Sequence, residues 1–171
     1  MGNDKDGDGC GEPYLTYRIP KSTSKVKMNP QESDEFNSTE LGLQWQWHAN
    51  YNQLWGMPTN NDCLRLYTAD LTATDEAGKP LPFKSLWQSG NLLLQKTPAK
   101  DFTATAKIRF ASKEDDQYGG VIMMGRDYQA LVVRRMGDNF LLQQLSCKDA
   151  DLSGIETEKT LATFKPSEKD T

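Results

Sequence analysis

The sequence has little material for several common classes of site. Its apolar runs are short, as in Val121–Met124, so no stretch is long enough to span a bilayer as a helix, and a membrane partner is not expected. The single histidine, His48, leaves little for a zinc site of ordinary ligand spacing or for a Cys/His nucleophile pair. The three cysteines lie far apart without a C-x-x-C pair, which argues against a disulfide framework.

Charge and length further limit the possible binding partners and the number of domains. The formal net charge is -4, and the basic residues are scattered rather than gathered into a stripe, so no nucleic-acid partner is expected. A length of 171 residues suits one domain, or one domain with a short extension. The start of the chain has no charged segment followed by an apolar one, and we expect any export signal to belong to a longer precursor or to be absent.

From Ser33 onward, apolar and polar residues alternate in the way that is typical of half-buried strands. The alternation is clearest in Phe102–Phe110, and it recurs in Leu43–His48 and Leu64–Tyr67. Gly120–Gly125 is instead continuously apolar between its glycines, which predicts a central strand covered on both faces.

Turn residues separate the predicted strands. Met136-Gly-Asp-Asn139 lies between Ala130–Arg135 and Phe140–Leu145, and this arrangement predicts a hairpin. No window shows amphipathic helical spacing with caps over three turns. The sequence therefore predicts an all-β fold, an antiparallel β-sandwich of many short strands.

The opening segment contains three aspartates at alternate positions, Asp4, Asp6 and Asp8, followed by Gly9. This spacing resembles the start of a calcium loop, but an EF-hand loop requires a bidentate acid at its twelfth position, where this sequence has Leu15. Two interpretations stay open: a structural calcium ion held by the three aspartates, and a tight acidic turn without a metal. No other cofactor is suggested.

The four tryptophans raise the hypothesis of sugar binding, because the C–H face of a sugar packs well on an indole ring. Trp45 and Trp47 lie on the same side of the predicted strand as Leu43, which favours a place in the core. Trp55 lies in a polar segment beside Gly56, and it is the better candidate for an exposed platform.

Polar residues near these aromatics supply further candidates. Gln46 and His48 lie on the opposite face of the same strand, where they would meet solvent, a ligand or a neighbouring domain, although a lone histidine is more often structural. Arg126-Asp127-Tyr128 suits either sugar hydroxyls or an ordinary polar turn, and the turn is favoured. The candidate carbohydrate-binding residues are therefore Trp55, His48, Gln46 and Arg126.

Several stretches carry a resemblance to a known family. Asp4–Pro20 is similar to the segment that closes the five-bladed β-propeller catalytic domain of many family 43 glycoside hydrolases. Ser33–Phe36, followed by Leu41-Gly-Leu-Gln-Trp-Gln-Trp-His48, resembles the opening of the concanavalin-A-like β-sandwich appended in the β-xylosidase branch of that family. The likeness continues, in the same order, through Leu86–Gln88, Leu94–Lys96 and Gly119–Tyr128.

The resemblance implies a domain organisation and a function. Residues 1–20 would be the terminal segment of the catalytic propeller, 21–32 a linker, and 33–171 the accessory sandwich, a concanavalin-A-like jelly roll. The parent would be a bacterial β-xylosidase or α-arabinofuranosidase, periplasmic or secreted, that acts on xylan- or arabinan-type oligosaccharides. The chain would dock on the propeller and shape its pocket. The alternative is a stand-alone carbohydrate-binding module.

In that family the catalytic acids lie on the propeller, and none of their motifs occurs in this sequence. Glycoside hydrolysis needs two carboxyl groups about 5 to 10 Å apart, one of them with a pKa raised by burial. Acidic clusters such as Glu114–Asp116 provide no way to select such a pair, so no catalytic residue is predicted and the chain is not expected to be an enzyme by itself.

The end of the sequence adds one more expectation. Sandwiches of this family continue through further strands, whereas Lys165–Thr171 has the composition of a turn. We therefore expect a sandwich that lacks terminal strands and exposes apolar faces. A second polypeptide would complete it, or the isolated chain would self-associate.

Overall fold

A computed structural model describes residues 2–12, 14, 16–18, 21, 31–59, 61–71, 73–74, 76–151 and 157–166. The chain divides into two compact units, Met1–Pro30 and Gln31–Thr171. Most of the predicted linker, residues 22–30, lies outside the described residues, and the predicted boundaries of the domains stay a prediction.

The second unit is built from short antiparallel strands. Their bounds, in chain order, are β1 Gln46–Trp47, β2 Gly56–Pro58, β3 Leu64–Leu66, β4 Ala73–Thr74, β5 Pro80–Leu81, β6 Leu93–Leu94, β7 Tyr118–Met123, β8 Tyr128–Met136, β9 Asn139–Cys147 and β10 Lys159–Phe164. A 3-10 helix, Leu86–Gln88, is the only helix in the described ranges. The predicted all-β class and antiparallel pairing are confirmed. Within those ranges there is no helix with the length and apolar character that a membrane crossing requires.

Four strands form the main sheet, in the order β10-β9-β8-β7, and three strand pairs, β1 with β6, β2 with β3 and β4 with β5, form small ribbons. The predicted hairpin is confirmed as β8 and β9, which pair from Met136 opposite Asn139 to Tyr128 opposite Cys147. Gly137, at the first position of its two-residue turn, has a φ of 62°, as a type II′ turn requires.

The core lies on one face of the main sheet, which we call the inner face. Because strand residues alternate between faces, Tyr128, Ala130 and Val132 of β8 point to the same side as Leu145 and Cys147 of β9, and all five are buried. Leu86, from the 3-10 helix, completes this cluster, with partly buried residues such as Trp87 packed against it. The inner face is thus covered by the segment that contains the helix.

Three strand predictions differ from the structure. Phe102–Phe110 belongs to no strand, and its residues other than Phe110 are exposed. Leu43 lies in a turn and is fully exposed, so only Gln46–Trp47 of the predicted strand pairs. Gly120–Gly125 was expected at the centre of a sheet, but among the described strands β7 lies at the edge and pairs with β8 alone. Alternation and apolar content predict the faces of a strand, whereas pairing depends on which segments lie beside it.

Candidate functional site

The aspartates of the first unit form a compact turn. One carboxylate oxygen from each of Asp4, Asp6 and Asp8 lies within 4.8 Å of the others, and all three residues are exposed. The Asp4 carboxylate accepts hydrogen bonds from the backbone N–H groups of Gly7, at 2.7 Å, and Gly9, at 3.0 Å. These bonds lower the pKa of Asp4 below its ordinary value. Both glycines have positive φ, 77° and 86°, a conformation that side chains rarely adopt.

This geometry fits both interpretations of the aspartates. Oxygen ligands close together are what calcium prefers, and three carboxylates supply part of the six to eight oxygens that it takes. The backbone N–H groups, however, already satisfy both Asp4 oxygens without a metal. The calcium site stays a prediction.

An aromatic cluster lies beside β1 and β2 in the second unit. The ring centroid of Trp47 is 5.8 Å from that of Tyr51 and 5.6 Å from that of Trp55. Trp55, expected to be an exposed platform, is half-buried and packs against Gly90, where an added Cβ would lie 2.6 Å from the indole. Tyr51 is 58% exposed. The accessible aromatic ring of the cluster is therefore Tyr51, a residue that the sequence pattern did not single out.

The two candidate sugar-binding residues on the polar side of β1, His48 and Gln46, differ in their surroundings. The Nε2 atom of His48 lies 3.1 Å from the backbone oxygen of Trp87, and the two rings meet edge to face at 5.0 Å. The backbone N–H of His48 also donates to the Leu92 oxygen at 2.9 Å. Gln46 is exposed and pairs across the ribbon with Leu94. His48 thus links β1 to the segment that covers the core.

Arg126 lies far along the chain, in the turn between β7 and β8. Its Nε atom lies 3.1 Å from Asp151 and 3.5 Å from Asp149, and the bond to Asp151 raises the pKa of the guanidinium. In the same turn, the Asp127 carboxylate accepts the backbone N–H of Asp149 at 2.9 Å, and the Arg126 oxygen accepts that of Ala150. These contacts match the ordinary turn that was favoured. Sugar-binding roles for Trp55, His48, Gln46 and Arg126 stay predictions.

The inner face contains a polar network that the sequence did not suggest. The hydroxyl of Tyr128, a residue only 2% exposed, accepts the backbone N–H of Leu86 at 2.9 Å and donates to the Glu158 carboxylate at 2.5 Å. Burial raises the pKa of Glu158 above its ordinary value, and the tyrosine bond, Arg134 and Tyr118 oppose that shift. In the sequence, Tyr128 comes directly after Arg126 and Asp127, and this position predicts a place in the same turn. No feature of the sequence distinguishes it, as a buried residue of the network, from its two exposed neighbours.

The opposite face of the main sheet, which we call the outer face, combines exposed apolar side chains with polar ones. The exposed apolar side chains come from all four strands: Val121, Met123, Leu131, Leu142 and Phe164. Gln129 and Gln144 lie between them and are joined by a side-chain hydrogen bond of 3.2 Å. Phe110 packs edge to face on Phe140 at one corner, with a centroid distance of 6.0 Å. The expectation of an exposed apolar face agrees with this arrangement.

A small cleft adjoins the aromatic cluster. Its volume is about 310 Å³, and it is lined by Thr39, Glu40, Leu41, Trp47, Tyr51, Gly56 and Pro58. We call it the aromatic cleft. It combines two aromatic rings with a carboxylate and a hydroxyl, which are the groups that recognise small polar ring molecules.

Comparison with known proteins assigns most of the chain to a family. The model of the β-xylosidase C-terminal concanavalin A-like domain matches residues 33–168. This match confirms the predicted concanavalin-A-like fold. No solved structure matches the chain significantly.

Curated relatives agree with that match. The chain is 28% identical over 144 residues to a β-xylosidase of Formosa agariphila, an alignment that covers 78% of the chain and 24% of the relative. It is 25% identical over 138 residues to a non-reducing end α-L-arabinofuranosidase of Bacteroides ovatus, with 78% and 24% covered. A relative from Xylanibacter ruminicola is 31% identical over 127 residues, with 74% and 21% covered. The chain thus spans about a quarter of the length of these relatives.

Proposed function

Because the chain belongs to the family of β-xylosidase C-terminal concanavalin A-like domains, we propose that it is the accessory domain of a glycoside hydrolase acting on xylan- or arabinan-type oligosaccharides. In this proposal the chain docks on a catalytic propeller and shapes its substrate pocket. The family match over residues 33–168 is the observation that carries the proposal. The names of two relatives, a β-xylosidase and an α-L-arabinofuranosidase, support the substrate class.

The carboxylates of the described residues support a non-catalytic role. Glycoside hydrolysis requires two facing carboxyl groups, one with a raised pKa. Glu158 is half-buried and has a raised pKa, but the groups that act on it are Tyr128, Tyr118 and Arg134, with no carboxylate among them. Its geometry therefore suits a structural bond rather than acid catalysis.

The outer face supports docking on a linked domain. Four strands about 4.8 Å apart, each about six residues long at about 3.3 Å per residue, present roughly 400 Å². Two such surfaces bury roughly 800 Å², which falls within the range of about 600 to 1,500 Å² for interfaces between domains of one chain. A stable complex between separate proteins usually buries about 1,200 to 2,000 Å². The size of the outer face thus favours a domain that is covalently joined to its partner.

A fusion tests this docking. The chain would be joined after the catalytic propeller of a family 43 xylosidase, and the activity on an aryl xyloside and the thermal midpoint would be measured. We expect Leu131→Asp, on the outer face, to lower both, because it places a charge in an apolar interface. Leu43→Asp is the matched control, since Leu43 is fully exposed and lies outside the main sheet.

Two results would contradict the proposal. If the unfused chain hydrolysed aryl xyloside at enzymatic rates, the accessory role would be wrong. If Leu131→Asp and Leu43→Asp affected the fusion equally, docking through the outer face would be wrong. Without a partner, we expect the isolated chain to bind a hydrophobic dye and to self-associate as its concentration rises, and Leu131→Asp to weaken both.

A stand-alone carbohydrate-binding module is the second candidate function, and the exposed aromatic ring of Tyr51 is the observation that favours it. For either function we propose that the parent protein works in the periplasm or outside the cell, where such oligosaccharides are met. Fractionation of the source cells, followed by detection of the protein, tests this location.

A further inference from the structure

Local hydrogen bonds lie in the two loops that flank the aromatic cleft. The backbone N–H of Glu40, which lines the cleft, donates to the Ser38 hydroxyl at 3.2 Å. Next to Tyr51, the backbone N–H of Leu54 donates to the side-chain oxygen of Asn52 at 2.9 Å. Such turns reduce the number of conformations open to each loop, which lowers the ordering cost of binding.

The floor of the cleft depends on a glycine. Gly56 of β2 is buried, and an added Cβ would lie 2.8 Å from the Arg65 backbone oxygen and 3.4 Å from the indole of Trp47. Only glycine lets β2 approach β3 and the Trp47 ring this closely. Trp47 is therefore locked against the floor, whereas Tyr51 packs on Trp47 and keeps 58% of its surface open.

We propose that the aromatic cleft is a sugar-binding subsite, which takes one neutral pyranose ring of a xylan-type chain against Tyr51. The proposal rests on the proposed function for the sugar class. An exposed ring supported by a second ring offers an apolar surface to the C–H face of a sugar. A volume of about 310 Å³ lies at the lower end of the range for small-ligand sites and suits a single ring rather than a long chain.

The charge at the rim selects among sugars. Glu40 is exposed and lines the cleft, so its carboxylate accepts hydrogen bonds from sugar hydroxyls. The same negative charge repels a uronic acid. A neutral xylose unit is thus preferred over a glucuronate-substituted one.

Titration of the 171-residue chain with linear xylotriose tests the subsite, with tryptophan fluorescence and the Trp47 indole resonance as readouts. We expect weak, saturable binding that shifts the Trp47 signal, because its ring contacts Tyr51. Tyr51→Ala should weaken binding about threefold to tenfold, the factor that an aromatic contact contributes. Tyr51→Phe should keep most of the affinity, because it keeps the ring.

Matched variants separate binding at Tyr51 from binding to exposed aromatic rings elsewhere on the chain. Tyr17→Ala also removes an exposed aromatic ring, 80% exposed in the first unit, and it should leave binding unchanged. Glu40→Gln should narrow the difference between xylotriose and a glucuronate-bearing analogue. Equal losses from Tyr51→Ala and Tyr17→Ala, or no saturable binding by the folded chain, would overturn the subsite. In either case the fusion experiment on the outer face would still report independently on the accessory role.

Discussion

The bond between Tyr128 and Glu158 gives the sharpest test of how the inner face is held together. In Tyr128→Phe, the ring keeps its place but the hydroxyl is lost, so the Leu86 N–H and the Glu158 carboxylate both lose a partner. An unpaired buried backbone donor costs about 1 to 3 kcal/mol, and a lost bond to a charged group costs about 1.5 to 3 kcal/mol. Because Glu158 is only half-buried, water replaces part of its bond, and a total of about 2 to 4 kcal/mol is expected.

Thermal unfolding followed by circular dichroism measures this cost. A loss of about 3 kcal/mol lowers the midpoint of a chain of this length by about 6 to 12 °C. The penalty should shrink on acidification, because a protonated Glu158 no longer needs a donor to offset its burial. Tyr67→Phe is the control. Tyr67 is 43% exposed and its hydroxyl donates to the Met57 sulfur at 3.8 Å, a long and weak bond, so we expect the free energy of unfolding to change by no more than about 0.5 kcal/mol. Equal midpoints for the two variants would refute the reasoning.

Three further expectations concern pH, strand pairing and metal. Burial raises the pKa of Glu158 above 4.5, so the folded state binds the proton more tightly than the unfolded state. The thermal midpoint should therefore fall as the pH rises from 4.5 through the folded pKa, and Glu158→Gln should flatten this dependence. In Gly120→Ala, the new methyl group would overlap the Leu131 backbone oxygen, so the free energy of unfolding, measured in urea, should fall by at least about 2 kcal/mol. An unchanged free energy of unfolding would show that β7 can shift to accept the methyl group. If Asp4, Asp6 and Asp8 hold calcium, calorimetric titration should give a binding isotherm that Asp6→Asn abolishes, and a flat titration would favour the acidic turn without a metal.

The hairpin of β8 and β9 is the part of the fold that local sequence predicts best. Both strands alternate, and Gly137 supplies the positive φ that their two-residue turn requires. The pairing therefore follows from residues that are close in sequence. Phe102–Phe110 alternates just as clearly, but its partner would have to come from a distant part of the chain or from another chain, which no local pattern specifies.

For the candidate sites, too, the sequence predicts only what residues close together in the chain form. Asp4 and its neighbours could be recognised because a turn of this kind is made by consecutive residues. Tyr51 could not be recognised, because the suitability of its ring as a binding surface depends on Trp47 behind it and on a cleft formed by loops that are separated in sequence. Trp55 illustrates the converse, since its polar neighbours suggested exposure while the distant Gly90 packs against it.

The two faces of the main sheet differ in how completely the chain covers them, and this difference bears on the proposed docking. The inner face is covered by the Leu86 helix, and the Tyr128 hydroxyl joins that helix to Glu158. Phe110 begins to cover the outer face at the Phe140 corner, but the side chains of Val121 and Leu131 stay half-exposed. The whole outer face, roughly 400 Å² in area, is too small to hold a freely diffusing protein firmly, whereas leaving its apolar side chains in water is unfavourable. The covalently linked domain of our proposal would resolve both constraints, because the high effective concentration of a tethered neighbour lets a small interface stay closed.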